Sequence, residues 1–184
     1  AVGEAGVLLR YQDDAWSIVR SNTSVNLRSV WGMDEQTVYA VGAGATVMRY
    51  NGVNWSQQVV EDEVVGGQLQ PVVNELFGMW GASPDDLWAV GADGTLINYA
   101  KDPETGETAW IKASQQSTGI SFRGIWGTGK DEMWLIGREG SVFKFNGQSL
   151  QPQNTGIIAT LHDITGFSET SVFAVGTLGT VLRM

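Results

Sequence analysis

The chain has 184 residues, 42% hydrophobic and 17% charged, with 24 glycines against 4 prolines; this excludes a disordered chain and suits many tight turns between ordered strands. Its 20 acidic and 11 basic side chains leave a net charge of −9, and with no lysine–arginine cluster the balance argues against nucleic acid and anionic lipid as partners. Cysteine is absent, so there is no disulfide frame and no thiolate metal site, and no apolar run is long enough for membrane insertion.

Taken in order, the chain opens in mid-repeat at Ala1-Val2-Gly3, as it would if a leader or earlier repeats had been removed. The same apolar run returns at 40–42, 89–91, 135–137 and 174–176, so that Gly3, Gly42, Gly91, Gly137 and Gly176 are spaced by 39, 49, 46 and 39 residues. Three residues after each stands Gly6, Ala45, Gly94, Gly140 or Gly179, with Gly44 expected to take over the turn beside Ala45. Eight after come Tyr11, Tyr50, Tyr99, Phe145 and Met184, followed by Trp16, Trp55 and, displaced by an insertion, Trp110. A further run, mostly ending Trp-Gly, precedes the anchor at 27–32, 76–81, 122–127 and 161–166.

Each unit therefore predicts four short strands. Strand A ends at Trp-Gly, B at the anchor glycine, C at the tyrosine, and D starts at the tryptophan. Asn51-Gly52 and Asn146-Gly147 mark hairpin turns between C and D. B and C are almost continuously apolar, as strands covered on both faces are. No stretch has a helical period. Units of about 1–26, 27–74, 75–120, 121–159 and 160–184 predict an all-β fold. The expected architecture is a single β-propeller domain over 1–184, with about five four-stranded antiparallel blades and incomplete terminal blades. A β-sandwich would not return the same residues at the same offsets. Unpaired strands at both ends leave two alternatives, a part-propeller completed by a second chain or a fragment of a longer propeller.

The run Trp-Gly, an acidic turn, then aromatic-Ala-Val-Gly-x-x-Gly-Thr and, after two apolar residues, x-Tyr-Asn-Gly-x-x-Trp resembles the repeat of a family of bacterial β-propellers. These look related to the propellers of photosystem assembly factors and to sialidase-like repeat proteins. The resemblance covers essentially the whole chain. It implies the propeller fold and, because such proteins are commonly secreted or lipid-anchored, an extracytoplasmic location, periplasmic or secreted. The Ser/Thr-x-Asp-x-Gly-x-Thr-Trp box of sialidase repeats is not intact, so no glycosidase chemistry follows.

Tryptophans at fixed places could stack on sugar rings, but their return in every unit favours packing between blades. Acids in the A–B turns (Asp34-Glu35, Asp85-Asp86, Asp131-Glu132, Glu169) and cations seven residues after the anchors (Arg10, Arg49, Lys144, Arg183) share one rim. They read as solvated charges in weak ion pairs, and no compact Asp-x-Asp-x-Asp loop supports Ca²⁺. His162 is the only histidine and no serine sits in a nucleophile elbow. No catalytic residue, metal or cofactor is expected, and the chain is read as not an enzyme.

Function is expected where the repeat is interrupted, because loops on a rigid scaffold carry binding. The longest insertion, 61–74, joins D to A on the face of the B–C turns. Glu61, Asp62, Glu63, Val64, Val65, Leu69 and Val72 are its candidate partner-binding residues. A second insertion at 101–108 extends a C–D hairpin on the opposite face and is polar. The reading is a non-enzymatic binding or assembly scaffold with a protein partner or self-association. The alternative is a carbohydrate-binding lectin that takes a glycan in inter-blade aromatic pockets.

Overall fold

Strand-forming runs of valine, isoleucine and aromatic residues alternate with glycine, asparagine and aspartate turns, and each run becomes a short strand. The computed structural model describes residues 1–61, 63–65, 68–101, 106–113 and 118–184, with 63–65 and 69 described by backbone alone. In chain order, β1 (Leu8–Gln12) and β2 (Ala15–Val19) form a hairpin to which Val2 adds one antiparallel bridge at Leu8. The second sheet is β3 (Leu27–Gly32), β4 (Val38–Gly42), β5 (Val47–Tyr50) and β6 (Trp55–Gln58). An inserted hairpin, β7 (Glu63–Val65) and β8 (Gln68–Gln70), follows it. Then come β9 (Leu76–Ser83), β10 (Asp86–Gly91), β11 (Leu96–Lys101) and β12 (Thr108–Lys112). The next sheet is β13 (Phe122–Gly129), β14 (Glu132–Gly137), β15 (Val142–Phe145) and β16 (Leu150–Gln153). The last has three strands, β17 (Leu161–Ser168), β18 (Ser171–Gly176) and β19 (Val181–Arg183). Sequential antiparallel order within every sheet, repeated blade after blade, is the β-propeller fold. The terminal blades are incomplete, as expected, and the described residues contain no α-helix; no helix is long and apolar enough to cross a membrane.

Alternation along each strand sends its two side-chain sets to opposite neighbours. Tyr39, Val41 and Val47 of the second blade meet Leu87, Ala89, Ile97 and Trp110 of the third in one buried cluster. Trp88, Val90 and Leu96 of the third meet Met133, Leu135, Phe143 and Phe145 of the fourth in the next. The tryptophan that ends strand A reaches across to the following blade. A Cβ at Gly127 would lie 3.2 Å from the Trp80 ring, and one at Gly166 would lie 2.6 Å from that of Trp126. The glycine that closes strand A is thus the seat of the preceding blade's indole, also at Thr165-Gly166, where no tryptophan precedes it.

The anchor glycines have extended φ values and are required for another reason. A Cβ at Gly42, Gly91, Gly137 or Gly176 would collide with the carbonyl oxygen of Asn26, Glu75, Ser121 or Thr160, where the D–A loop passes. The turn behind each anchor holds two successive left-handed residues: Ala5 and Gly6, Gly44 and Ala45, Asp93 and Gly94, Glu139 and Gly140, Leu178 and Gly179. Gly44 therefore does not replace Ala45 in the second unit. Ala45 itself takes φ +52°, because the backbone path is fixed by the flanking bonds.

At the ends the repeat's own interfaces stand uncovered. Tyr11 and Trp16 are 55% and 61% exposed, whereas Trp55 and Trp110, equivalent to Trp16, are 8% and 0%. Val175 and Val181 of the last blade are 46% and 68% exposed, although Val90 and Val142 at the same offsets are buried. No strand pairing or backbone hydrogen bond among the described residues joins the last blade to the first.

Candidate functional site

The inserted segment begins where β6 leaves its sheet. Val60 makes a parallel bridge with Trp110, and the Glu61 N–H donates to the Trp110 carbonyl at 2.8 Å, tying the outer edges of the second and third blades. Beyond this bond, β7 and β8 pair with Val64 opposite Leu69 and Glu63 opposite Gln70. Asp62 lies outside the described residues, and for Glu63, Val64, Val65 and Leu69 only the backbone is placed. Glu61 is exposed and borders a concavity of about 400 Å³ with Gln58, Tyr99, Lys101 and Trp110. Val72 is half-buried and packs with Val60 against the core of the second and third blades. The segment returns at Asn74, whose Nδ2 donates to Thr95 Oγ1 at 2.8 Å and to the Ala92 carbonyl at 3.3 Å, while its own carbonyl accepts the Ala45 N–H. D–A loops and B–C turns do share one face. Of the second insertion, 102–105 lie outside the described residues.

The innermost strands carry a feature that repeat spacing does not disclose. Between the first and third residues of β3, β9, β13 and β17 the register slips, so that Arg28, Phe77, Arg123 and His162 have no cross-strand partner. Each is a bulge, and bulges re-aim side chains. The four line one depression of about 640 Å³ along the inner wall, next to the D–A loops. Arg28 Nε meets Glu75 Oε1 at 2.6 Å, and Glu75 directly follows the inserted segment. The Arg123 guanidinium lies 4.2 Å from the Phe77 ring centre, and its Nε is buried with no hydrogen-bond partner among the described residues. A stacked arginine keeps its fork available for a planar acceptor such as a carboxylate or a peptide carbonyl. Two of these four positions are arginines and a third is the chain's one histidine, in a chain whose net charge is −9.

On the opposite rim the expected acid–cation pairing is replaced by cation–ring contacts. Arg49, Lys144 and Arg183 stand directly opposite Tyr39, Trp134 and Phe173 in the B–C register, with 6.0, 4.7 and 5.8 Å from the charge to the ring centre. In the third blade Asn98 faces Trp88, whose indole N–H donates instead to Asp86 Oδ1 at 2.9 Å. An aromatic three residues before the anchor and a cation seven after it are cross-strand neighbours, so this pairing was available from the spacing. Lys144 also borders a 170 Å³ notch with Glu132 and Glu169, which belong to adjacent blades. Hydrogen bonding to Glu169 holds the Glu132 carboxyl above its usual value. At the Asp34 turn the Gln36 N–H, 2.8 Å from Oδ1, holds that carboxyl below its ordinary value. The tryptophans serve mainly as packing between blades; Trp16, tilted against Tyr11 with ring centres 5.2 Å apart, is the exposed one of the strand-D set.

No protein-family model matches the chain, and no curated protein matches it by sequence. Solved structures do match. YCF48, solved bound to D1 peptide, superposes over 96% of this chain with a TM-score of 0.66 at 16% identity. The likeness is one of fold. The chain spans 55% of that structure, about half its length. YCF48 from Cyanidioschyzon merolae aligns with 97% of this chain and 76% of its own, at 13% identity and a TM-score of 0.49. PorZ, a surface component of the type-IX secretion system of Porphyromonas gingivalis, aligns with 98% of this chain and 30% of its own, at 13% identity and a TM-score of 0.39.

Proposed function

We propose that this chain is a non-enzymatic scaffold that binds a polypeptide segment on the face where D–A loops meet B–C turns. The inner wall is its seat, and the 61–74 insertion is its outer contact. The observation that carries the reading is the set of four bulges that turn Arg28, Phe77, Arg123 and His162 onto one wall. Elsewhere the repeat uses its positions for packing; here it spends them on exposed or half-buried cationic and aromatic side chains. Such side chains suit an extended segment rich in carboxylates and backbone carbonyls. The fold shared with YCF48, a protein solved with a peptide bound, supports the same reading.

The test selects binders from a random peptide library on the folded chain and measures them on three variants. Arg123→Ala weakens selected peptides by about tenfold or more, the cost of a lost charged hydrogen bond. Arg123→Lys retains less than half of that loss in affinity if charge alone matters, and all of it if the planar fork matters. Shortening 61–74 to a tight turn weakens the longer binders. Retention of every binder by Arg123→Ala and by the shortened chain, or a response confined to a glycan array, defeats the proposal.

A further inference from the structure

The residue just before strand A has the same task in the second and fourth blades. Asn26 Oδ1 accepts the Ala5 N–H at 2.8 Å, and Ser121 Oγ accepts the Asp93 N–H at 3.2 Å. Both donors stand two residues past an anchor glycine, so a side chain of one blade closes the B–C turn of the blade before it. In the third blade this residue is Glu75, and the matching donor is the Gly44 N–H of the second. Glu75 departs from the pattern. Among the described residues no side chain meets the Gly44 N–H, and Gly44 is exposed. The carboxylate goes instead to Arg28 on the inner wall, Oε1 to Nε at 2.6 Å.

The backbone beneath that carboxylate is pinned. The Asn74 carbonyl accepts the Ala45 N–H at 2.9 Å, and the Glu75 carbonyl accepts the Ala92 N–H at 2.8 Å. The fifth blade makes the same two bonds, from Gly140 to Ala159 and from Thr177 to Thr160. Glu75 is therefore mounted as its equivalents are, and its side chain is one carbon longer than that of Asn26. A change of rotamer carries its carboxylate from Arg28 to the place that Asn26 Oδ1 takes at Ala5. The Arg28–Glu75 pair makes one contact, and the two side chains are 38% and 31% exposed. So exposed an ion pair adds little stability, and another carboxylate replaces the first in it with little change. The displaced carboxylate gains a charge-assisted hydrogen bond at Gly44. The other guanidinium on the wall, that of Arg123, lies on the Phe77 ring and is not taken by any carboxylate among the described residues.

We propose that Arg28 is a second carboxylate subsite of the inner wall, closed by Glu75 and opened when a ligand carboxylate sends Glu75 to the Gly44 N–H. The ligand is an extended acidic segment with two side-chain carboxylates, one for Arg123 and one for Arg28. A segment with a single carboxylate takes Arg123 and leaves Glu75 where it is. Glu75 thus selects for the doubly acidic segment. This rests on the reading of the inner wall as a polypeptide seat.

The probes are two capped hexapeptides added to the 184-residue chain. One is acetyl-hexaglutamate amide, which offers every carboxylate spacing; the other has one glutamate among five glutamines. If Glu75 holds Arg28 in about nine of ten molecules, Glu75→Gln binds hexaglutamate about tenfold tighter than the parent does. The single-glutamate peptide gains about twofold or less, because it only has one more arginine to choose from. Adding Arg28→Gln to Glu75→Gln removes the gain. Glu139→Gln, which deletes an exposed carboxylate on the same face, changes hexaglutamate binding by less than about twofold. In the parent, bound hexaglutamate slows amide exchange at Gly44 by about fivefold, while Ala5, already bonded to Asn26, is unchanged. Equal affinity of hexaglutamate for the parent and Glu75→Gln overturns the subsite and leaves the inner wall as a peptide seat. So does a gain matched by the single-glutamate peptide or by Glu139→Gln, which is bulk charge alone. Hexaglutamate that binds neither chain, or binds regardless of Arg123→Ala, overturns the inner-wall reading as well.

Discussion

At the scale of the residue, most recurring positions have a steric reason that can be named. The anchor glycine admits a passing carbonyl, and the glycine of Trp-Gly admits an indole. Leu178 breaks the turn's rule most visibly: it is fully exposed and holds φ +57°, a conformation costly for a branched side chain. Asparagine tolerates that conformation, so Leu178→Asn raises stability by about 0.5–1 kcal/mol and the melting temperature by about 2 °C. Calorimetry checks it, and a lower melting temperature contradicts the turn's assignment. Spacing located these residues correctly, but it could not separate the two glycine roles, which depend on what passes nearby. It also put Gly44 in place of Ala45, since a sequence shows that a residue departs from the repeat and not that the backbone holds it there regardless.

At the scale of the element, D–A loops hold neighbouring blades through their last residues. Asn74 is the clearest case, with two side-chain bonds to the turn of the third blade and a backbone bond to that of the second. Asn74→Ala leaves those turns short of a donor and costs about 1–2 kcal/mol in urea unfolding, whereas Gln36→Ala, on the exposed opposite turn, costs little. The fourth and fifth blades meet through Glu132 and Glu169. Glu132 binds its proton more tightly in the folded chain than in the unfolded one, so its contribution is complete at low pH and is lost as pH rises through its folded titration. Denaturant midpoints from about pH 4 to about pH 7 therefore fall less steeply in Glu132→Gln than in the parent. Strand identity, order and the face shared by D–A loops and B–C turns were all legible from the period. The strand bulges were not: they shift one residue without altering the spacing between anchors, so Arg28, Phe77, Arg123 and His162 read simply as strand residues.

At the scale of the whole molecule, the repeat's constants build the scaffold, and its four strand bulges gather on one wall. The interrupted loop was visible in the sequence as an interruption. The inner wall was not, because it draws one residue from each of four units 39 to 49 apart in the chain, and only the common axis brings them together. The exposed faces of the terminal blades, Tyr11 and Trp16 at one end and Val175 and Val181 at the other, are halves of interfaces that the chain completes elsewhere. The central claim is that a polypeptide segment binds across the inner wall. It is tested most directly by hydrogen exchange on the 184-residue chain with its tightest library-selected peptide, in parallel with Arg123→Ala. Binding across the inner wall protects 26–29, 75–78, 121–124 and 160–163, and this protection disappears in the variant. Protection confined to the outer strands, unaffected by Arg123→Ala, would contradict it.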